Sequence, residues 1–146
     1  MHATHPPAGV HELLSDPDWT YVDVRSTQEF EQGHVPGAYN VPLLHMGAGG
    51  MRPNPEFLAA MTRHFPKTRK LVLGCKSGGR SERACELLAQ HGWATLVNMA
   101  GGYHGAYDMG GGVLEQGWAA CGYDTAREAL PGRSWRDLQP PPAPAR

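Results

Sequence analysis

Cysteine is scarce in this sequence and follows no pattern: 146 residues contain only Cys75, Cys85 and Cys121. An odd, irregularly spaced set does not build a disulfide framework. Without a CxxC pair or a Cys/His cluster, nothing suggests structural zinc. Long apolar runs are absent too; none reaches the roughly eighteen residues that would cross a membrane. The opening MHATHPPAGV has no basic segment followed by an apolar one, so it does not read as a secretory signal. A soluble, cytoplasmic protein with one reactive thiol is the expectation. An excess of charge of one sign is also missing: 13 Lys and Arg face 14 Asp and Glu, for a net charge of -1. Affinity for nucleic acid draws on clustered cations that neutralise phosphates, and no basic stripe offers them here. Neither nucleic acid nor a membrane is an expected partner.

Glycine and proline are plentiful, at 19 and 13, but they cluster, which assigns them to loops and ends rather than to disorder throughout. The Pro-rich close, QPPPAPAR, reads as an extended tail, and the first seven residues look similar. The expected layout is one domain over residues 8–125, long enough for a single core, and an extended tail over 126–146. Within the domain, short strands alternate with helices. Thr20 to Val24 and Ala38 to Val41 read as strands. Ser26 to Gln32 reads as a short helix capped by Ser26 or Thr27 and stopped by Gly33. Asn54 followed by Pro55 suits the start of a helix running to Phe65. Lys70 to Cys75 is apolar without alternation, as a strand covered on both faces is. Ser81 to His91 carries Ala84, Leu87, Leu88 and His91 on one stripe and ends at Gly92. Thr95 to Met99 is the last clear strand. Such alternation implies a mainly parallel sheet with helices on both faces, and a site beyond the carboxyl ends of strands. Cys75 falls at one of those ends.

The segment Cys75-Lys76-Ser77-Gly78-Gly79-Arg80-Ser81 joins that buried strand to the amphipathic helix. A thiol is a weak nucleophile until it ionises, and a helix N-terminus and nearby cations favour the thiolate. A loop curled over the sulfur aims backbone N–H groups inward as an anion-binding nest, and Gly78 and Gly79 permit the curl. Lys76 and Arg80 add positive charge wherever their side chains turn to the pocket rather than to solvent. Such a pocket suits a dianion with a soft electrophilic atom, as thiosulfate is. Its outer sulfur would pass to Cys75 as a persulfide and then to a second thiophile. The chemistry needs no cofactor and no metal. Most lone cysteines are packing residues; Cys85, beside the apolar stripe of its helix, is read as one, and Cys121 is given no role.

At this point the chain resembles the rhodanese-like domain family. Asp23-Val24-Arg25 with Glu29-Phe30, then Gly33-His34-Val35-Pro36-Gly37-Ala38 and Asn40-Val41-Pro42, looks like its amino-terminal signature. Cys75 to Ser81 matches its active-site loop, with Ala84 and Leu88 on the helix behind, and Gly92 and Gly101-Gly102 fit its later half. The likeness covers Val10 to Tyr123. It implies a three-layer α/β/α sandwich around a five-stranded, mainly parallel sheet. Cys75 is implied as the sulfur-carrying nucleophile, and Lys76, Ser77, Gly78, Gly79, Arg80 and Ser81 as the loop that holds the persulfide and the anion. The implied partners are a small anionic sulfur donor, a thiol or cyanide acceptor, and potentially a protein in a sulfur relay. Asp23, Arg25 and Glu29 are read as architectural, and His34 as a turn residue rather than a base. Tyr103 and Tyr107 stand where the family commonly has a tryptophan, and Gly110 to Gly112 reads as a short loop elaboration. Two other readings remain: a non-catalytic carrier, sensing or partner-binding module, and a phosphatase or arsenate reductase of related fold. Related phosphatases use a loop one residue longer than the four residues between Cys75 and Arg80, which leaves a phosphate less room here.

Overall fold

A strand begins the chain where composition alone suggested a loose end. A computed structural model describes residues 2–141. Strand β1 (Ala3–His5) leads directly into helix α1 (Pro7–Leu13), whose Pro7 occupies its first turn. Then come β2 (Trp19–Asp23), α2 (Thr27–Glu31) and β3 (Tyr39–Asn40). A hairpin, β4 (Leu44–Gly47) and β5 (Gly50–Pro53), precedes α3 (Phe57–His64). The unit β6 (Lys70–Gly74), α4 (Gly79–Gln90) and β7 (Leu96–Met99) follows. A second small hairpin, β8 (Ala106–Tyr107) and β9 (Val113–Glu115), a 3-10 turn at Trp118–Cys121 and α5 (Trp135–Leu138) complete the described chain.

Five strands form one sheet in the order β1-β7-β6-β2-β3, and every pairing in it is parallel. Parallel neighbours need crossovers, and the crossover helices cover both faces. Central β6 shows the consequence: Leu71, Val72 and Leu73 are all fully buried. Leu71 and Leu73 join Phe57 and Met61 of α3 and Ala84 and Leu88 of α4 on one face. Val72 joins Val10 of α1 and Phe30 of α2 on the other. The result is the expected three-layer α/β/α sandwich.

Both chain ends depart from expectation. Ala3 to His5 pair with Val97 to Met99 along the open edge of β7. An edge strand gains backbone hydrogen bonds without needing an apolar pattern, so composition concealed it. Residues 126–139 do not run as an extended tail. Ala126 exchanges two backbone hydrogen bonds with His34, and the Arg133 carbonyl accepts from the Asn40 N–H at 2.9 Å. Ser134 caps α5, and Trp135 and Leu138 pack into the same cluster as Leu71 and Leu73. Two apolar anchors on a four-residue helix are too few to show a periodicity. Residues 142–146, the last part of the Pro-rich close, lie outside the described residues.

Smaller differences have local causes. Asn54 does not sit next to the helix: α3 starts at Phe57, and Asn54 Oδ1 accepts from the Glu56 N–H at 3.0 Å, closing a turn one step earlier. The glycines at 110–112 belong to the turn of the β8–β9 hairpin, where Asp108 Oδ1 accepts from the N–H groups of Gly110 and Gly112.

Candidate active site

Gly74 ends β6 directly under the Tyr21 hydroxyl, which a side chain at that position would strike. Cys75 follows at the strand's carboxyl end, 1% exposed. Its Sγ accepts hydrogen bonds from the Gly78 N–H at 3.1 Å and the Ser81 hydroxyl at 3.3 Å. Gly78 has φ +115°, in the left-handed region, which turns the chain back over the sulfur and starts α4. The loop is braced from outside. The Tyr103 N–H donates to the Cys75 carbonyl at 2.8 Å and the His104 N–H to the Lys76 carbonyl at 2.9 Å. Gly102, with φ +60°, makes that approach feasible, since a Cβ there would lie 2.6 Å from the Lys76 carbonyl carbon.

Ser81 is wholly buried on the first turn of α4. Besides Cys75, its Oγ lies 3.2 Å from the Gly78 carbonyl and 2.5 Å from Asn98 Oδ1. Asn98 is a residue that sequence reasoning missed. Its one signal is being the polar member of an otherwise apolar strand, LVNM.

The two loop cations, Lys76 and Arg80, point to different surroundings. Lys76 and Ser77 are exposed at the loop's surface, and Gly79 is exposed as the first residue of α4. Arg80 does not offer its guanidinium freely to the pocket. Its two terminal nitrogens donate to the two Glu29 oxygens at 2.8 and 2.9 Å. Glu29 also accepts from the Ser26 N–H at 3.1 Å and the Ser26 hydroxyl at 3.0 Å, which completes a capping box at the start of α2. Burial alone would push the Glu29 carboxyl up; the Arg80 hydrogen bonds and charge, with the Ser26 donors, outweigh it and hold it at about 2. Asp23 and Arg25 form a buried brace, as read: Arg25 Nε and Nη2 grip the carboxylate, with Nη2 at 2.8 Å, and Nη2 also donates to the Gly33 carbonyl. The Arg25 guanidinium lies 4.6 Å over the Tyr103 ring. His34 is a turn residue. Its ring stacks on Phe30 at 3.6 Å and its Nδ1 pairs with the Phe30 carbonyl.

The other thiols stand apart from this chemistry. Cys85 is fully buried, and burial first, then Glu82 and Glu86, push its thiol up to about 12. Cys121 is half-buried with Sγ 3.2 Å from the Gly117 carbonyl. His104 is exposed beside the loop, and burial of part of its ring, with Arg25 and Lys76 nearby, lowers its basicity. A cavity of about 500 Å³ lies elsewhere, between α2 and the C-terminal segment, lined by Thr27, Phe30, Arg127 and Trp135 among others. Its lining contains neither cysteine nor histidine, so it offers no nucleophile of the kind that Cys75 presents. What Cys75, Gly78 and Ser81 assemble is a sheltered sulfur that accepts from the Gly78 N–H and has the Ser81 hydroxyl within reach.

Comparison with known proteins identifies the family. Residues 6–108 match the family described as Rhodanese-like domain. Thiosulfate sulfurtransferase 16, chloroplastic, of Arabidopsis thaliana is 45% identical over 83 residues, 57% of this chain and 69% of the relative. Protein HIGH ARSENIC CONTENT 1, mitochondrial, of the same plant is 38% identical over 62% of this chain and 53% of the relative. The chain spans little more than half the length of several such relatives. The crystal structure of Rv0390 from M. tuberculosis superposes with a TM-score of 0.69 at 25% identity, covering 88% of this chain and 100% of that one. The names of the plant relatives overturn the expected cytoplasmic location, since they place those proteins in chloroplast and mitochondrion. The lack of an apolar secretory segment does not bear on organelle targeting, which depends on amphipathic, Arg- and Ser-rich stretches instead. With residues 6–108 matching its model, the chain belongs to the rhodanese-like domain family.

Proposed function

We propose that the protein is a sulfurtransferase that moves a sulfane sulfur from a small anionic donor to a thiophilic acceptor through a persulfide on Cys75. The observation that carries this reading is the sheltered Cys75 Sγ at the carboxyl end of β6, accepting from the Gly78 N–H at 3.1 Å with the Ser81 hydroxyl 3.3 Å away. The sulfurtransferase name of a relative 45% identical supports it. With thiosulfate, the Cys75 thiolate attacks the outer sulfur. The S–S bond of the donor breaks with its electron pair on the departing sulfite, and a Cys75 persulfide remains. A thiol or cyanide then attacks the outer sulfur, and the electron pair of the persulfide bond returns to Cys75 Sγ. The loop of Lys76, Ser77, Gly78, Gly79, Arg80 and Ser81 surrounds the reacting sulfur. Within it Lys76 is the exposed cation for an anionic donor, while Arg80 acts through Glu29 to hold the loop in place.

A phosphatase or arsenate reductase reading is weakened by the length of the loop. Four residues separate Cys75 and Arg80, one fewer than in the loop of related phosphatases, which leaves a phosphate less room.

The test is intact mass after incubation of the reduced protein with thiosulfate, with Cys75→Ser alongside. A gain of one sulfur atom, absent from the variant and removed by cyanide or a thiol, supports the cycle. No gain from thiosulfate or any other sulfane donor favours a binding or sensing module.

A further inference from the structure

Ser81 has one hydroxyl proton and three acceptors around it. Asn98 Oδ1 is at 2.5 Å, the Gly78 carbonyl at 3.2 Å and Cys75 Sγ at 3.3 Å. Both Ser81 and Asn98 are buried, at 0% and 3% exposure, so water does not compete freely for the proton. A separation of 2.5 Å belongs to a short O–H···O bond and falls below the usual N–H···O range. Asn98 Oδ1 is the amide atom that faces the hydroxyl and accepts from it. One proton serves one of these acceptors well at a time. Held by Asn98, it turns the lone pairs of Ser81 Oγ toward the sulfur, which suits S–H. Turned to Sγ, it joins the Gly78 N–H as a second donor, which suits an anionic sulfur.

We propose that Asn98 is a positioning residue that holds the Ser81 hydroxyl proton off Cys75, so that charge on the sulfur develops only as the hydroxyl swings from the amide to Sγ. No bond to Ser81 or Asn98 is made or broken in this. The hydroxyl only rotates, once when the Cys75 thiol gives its proton to solvent and the thiolate forms, and again when the electron pair of the persulfide bond returns to Sγ. Its consequence for turnover rests on the sulfur-transfer reading; the switch itself is a property of the thiol. Tyr21 from β2 and Arg80 and Cys85 from α4 are the other titratable groups that couple to Cys75. Lys76 adjoins it in the loop and Glu29 of α2 reaches it through Arg80. None of these is altered by a change at 81 or 98.

The experiment is the rate of Cys75 alkylation by iodoacetamide against pH, followed at the Cys75 peptide by mass. Ser81→Ala removes a donor and is expected to raise the pH midpoint by about one unit. Asn98→Ala releases the proton to the sulfur and is expected to lower it by a comparable amount. The double variant is expected to behave as Ser81→Ala alone, because Asn98 acts through Ser81. Should Asn98→Ala lack a cooperative melting transition, Asn98→Leu removes the same acceptor while filling its space. A midpoint that rises or stays put in a folded Asn98 variant overturns the proposal, as does a double variant that shows the sum of the two shifts. Sulfur loading from thiosulfate is read on the same samples. Wild-type protein that gains no sulfur counts against the proposed function, while the alkylation profiles still decide the role of Asn98.

Discussion

Arg80 and Glu29 form a two-pronged ion pair, at 2.8 and 2.9 Å, that ties the first turn of α4 to α2 on the neighbouring unit of the sheet. Both side chains are 15% exposed, so the pair is sheltered enough to matter more than an ordinary surface bridge. The same Glu29 closes the capping box of α2. One carboxylate thus fixes the start of one helix and the position of the loop before another.

Glu29 makes stability depend on acid. Its carboxyl ordinarily titrates at 4.5 and is held at about 2 in the folded protein. A depressed folded value stabilises the protein above about pH 4.5, and that contribution disappears as pH falls toward 2. It is on the order of 2–3 kcal/mol. Urea midpoints measured from pH 7 down to pH 3 should fall more steeply for wild type than for Glu29→Gln. Parallel curves would show that the pair adds nothing.

Gly102 should tolerate no side chain. With φ +60° and the Lys76 carbonyl carbon 2.6 Å from where a Cβ would sit, Gly102→Ala must either displace the active-site loop or strain the turn. A loss of about 1–3 kcal/mol is expected, together with slower alkylation of Cys75. A variant with wild-type melting temperature and wild-type Cys75 reactivity would contradict the brace.

Cys85 should be chemically silent. With its thiol pushed up to about 12, it is expected to remain unmodified by iodoacetamide at pH 9 in the folded protein. Cys85→Ala and Cys121→Ser should both load sulfur as wild type does. Turnover lost in either variant without unfolding would identify a resolving thiol.

Trp135 should anchor the C-terminal segment. It is 7% exposed and packs with Leu138 in the core beneath β6. Trp135→Ala is expected to cost about 3–5 kcal/mol, read as a lower urea midpoint. A change within about 0.5 kcal/mol would mean that residues 126–139 lie on the domain without supporting it.

Much of the architecture was legible because parallel sheets write plainly in sequence. The unbroken apolar run at Lys70 to Cys75, the stripe of Ala84, Leu87 and Leu88, and the glycines between them suffice to place a thiol at a strand end beneath a helix. Local chemistry set the cap at Ser26 and the turn of Gly78, since each depends on residues near in sequence.

What tertiary structure alone decided lies between residues far apart in the chain. Whether Arg80 faced the anion or a carboxylate depended on α2 lying within reach, 51 residues away in sequence. Whether Ser81 was a simple donor depended on Asn98 arriving from β7. The edge strand at Ala3 and the anchor at Trp135 needed a partner edge and a pocket that exist only after folding. Periodicity records which face a residue turns, and side-chain type records what it can bond. The partner that takes the bond is chosen by the packing of elements that no local pattern encodes.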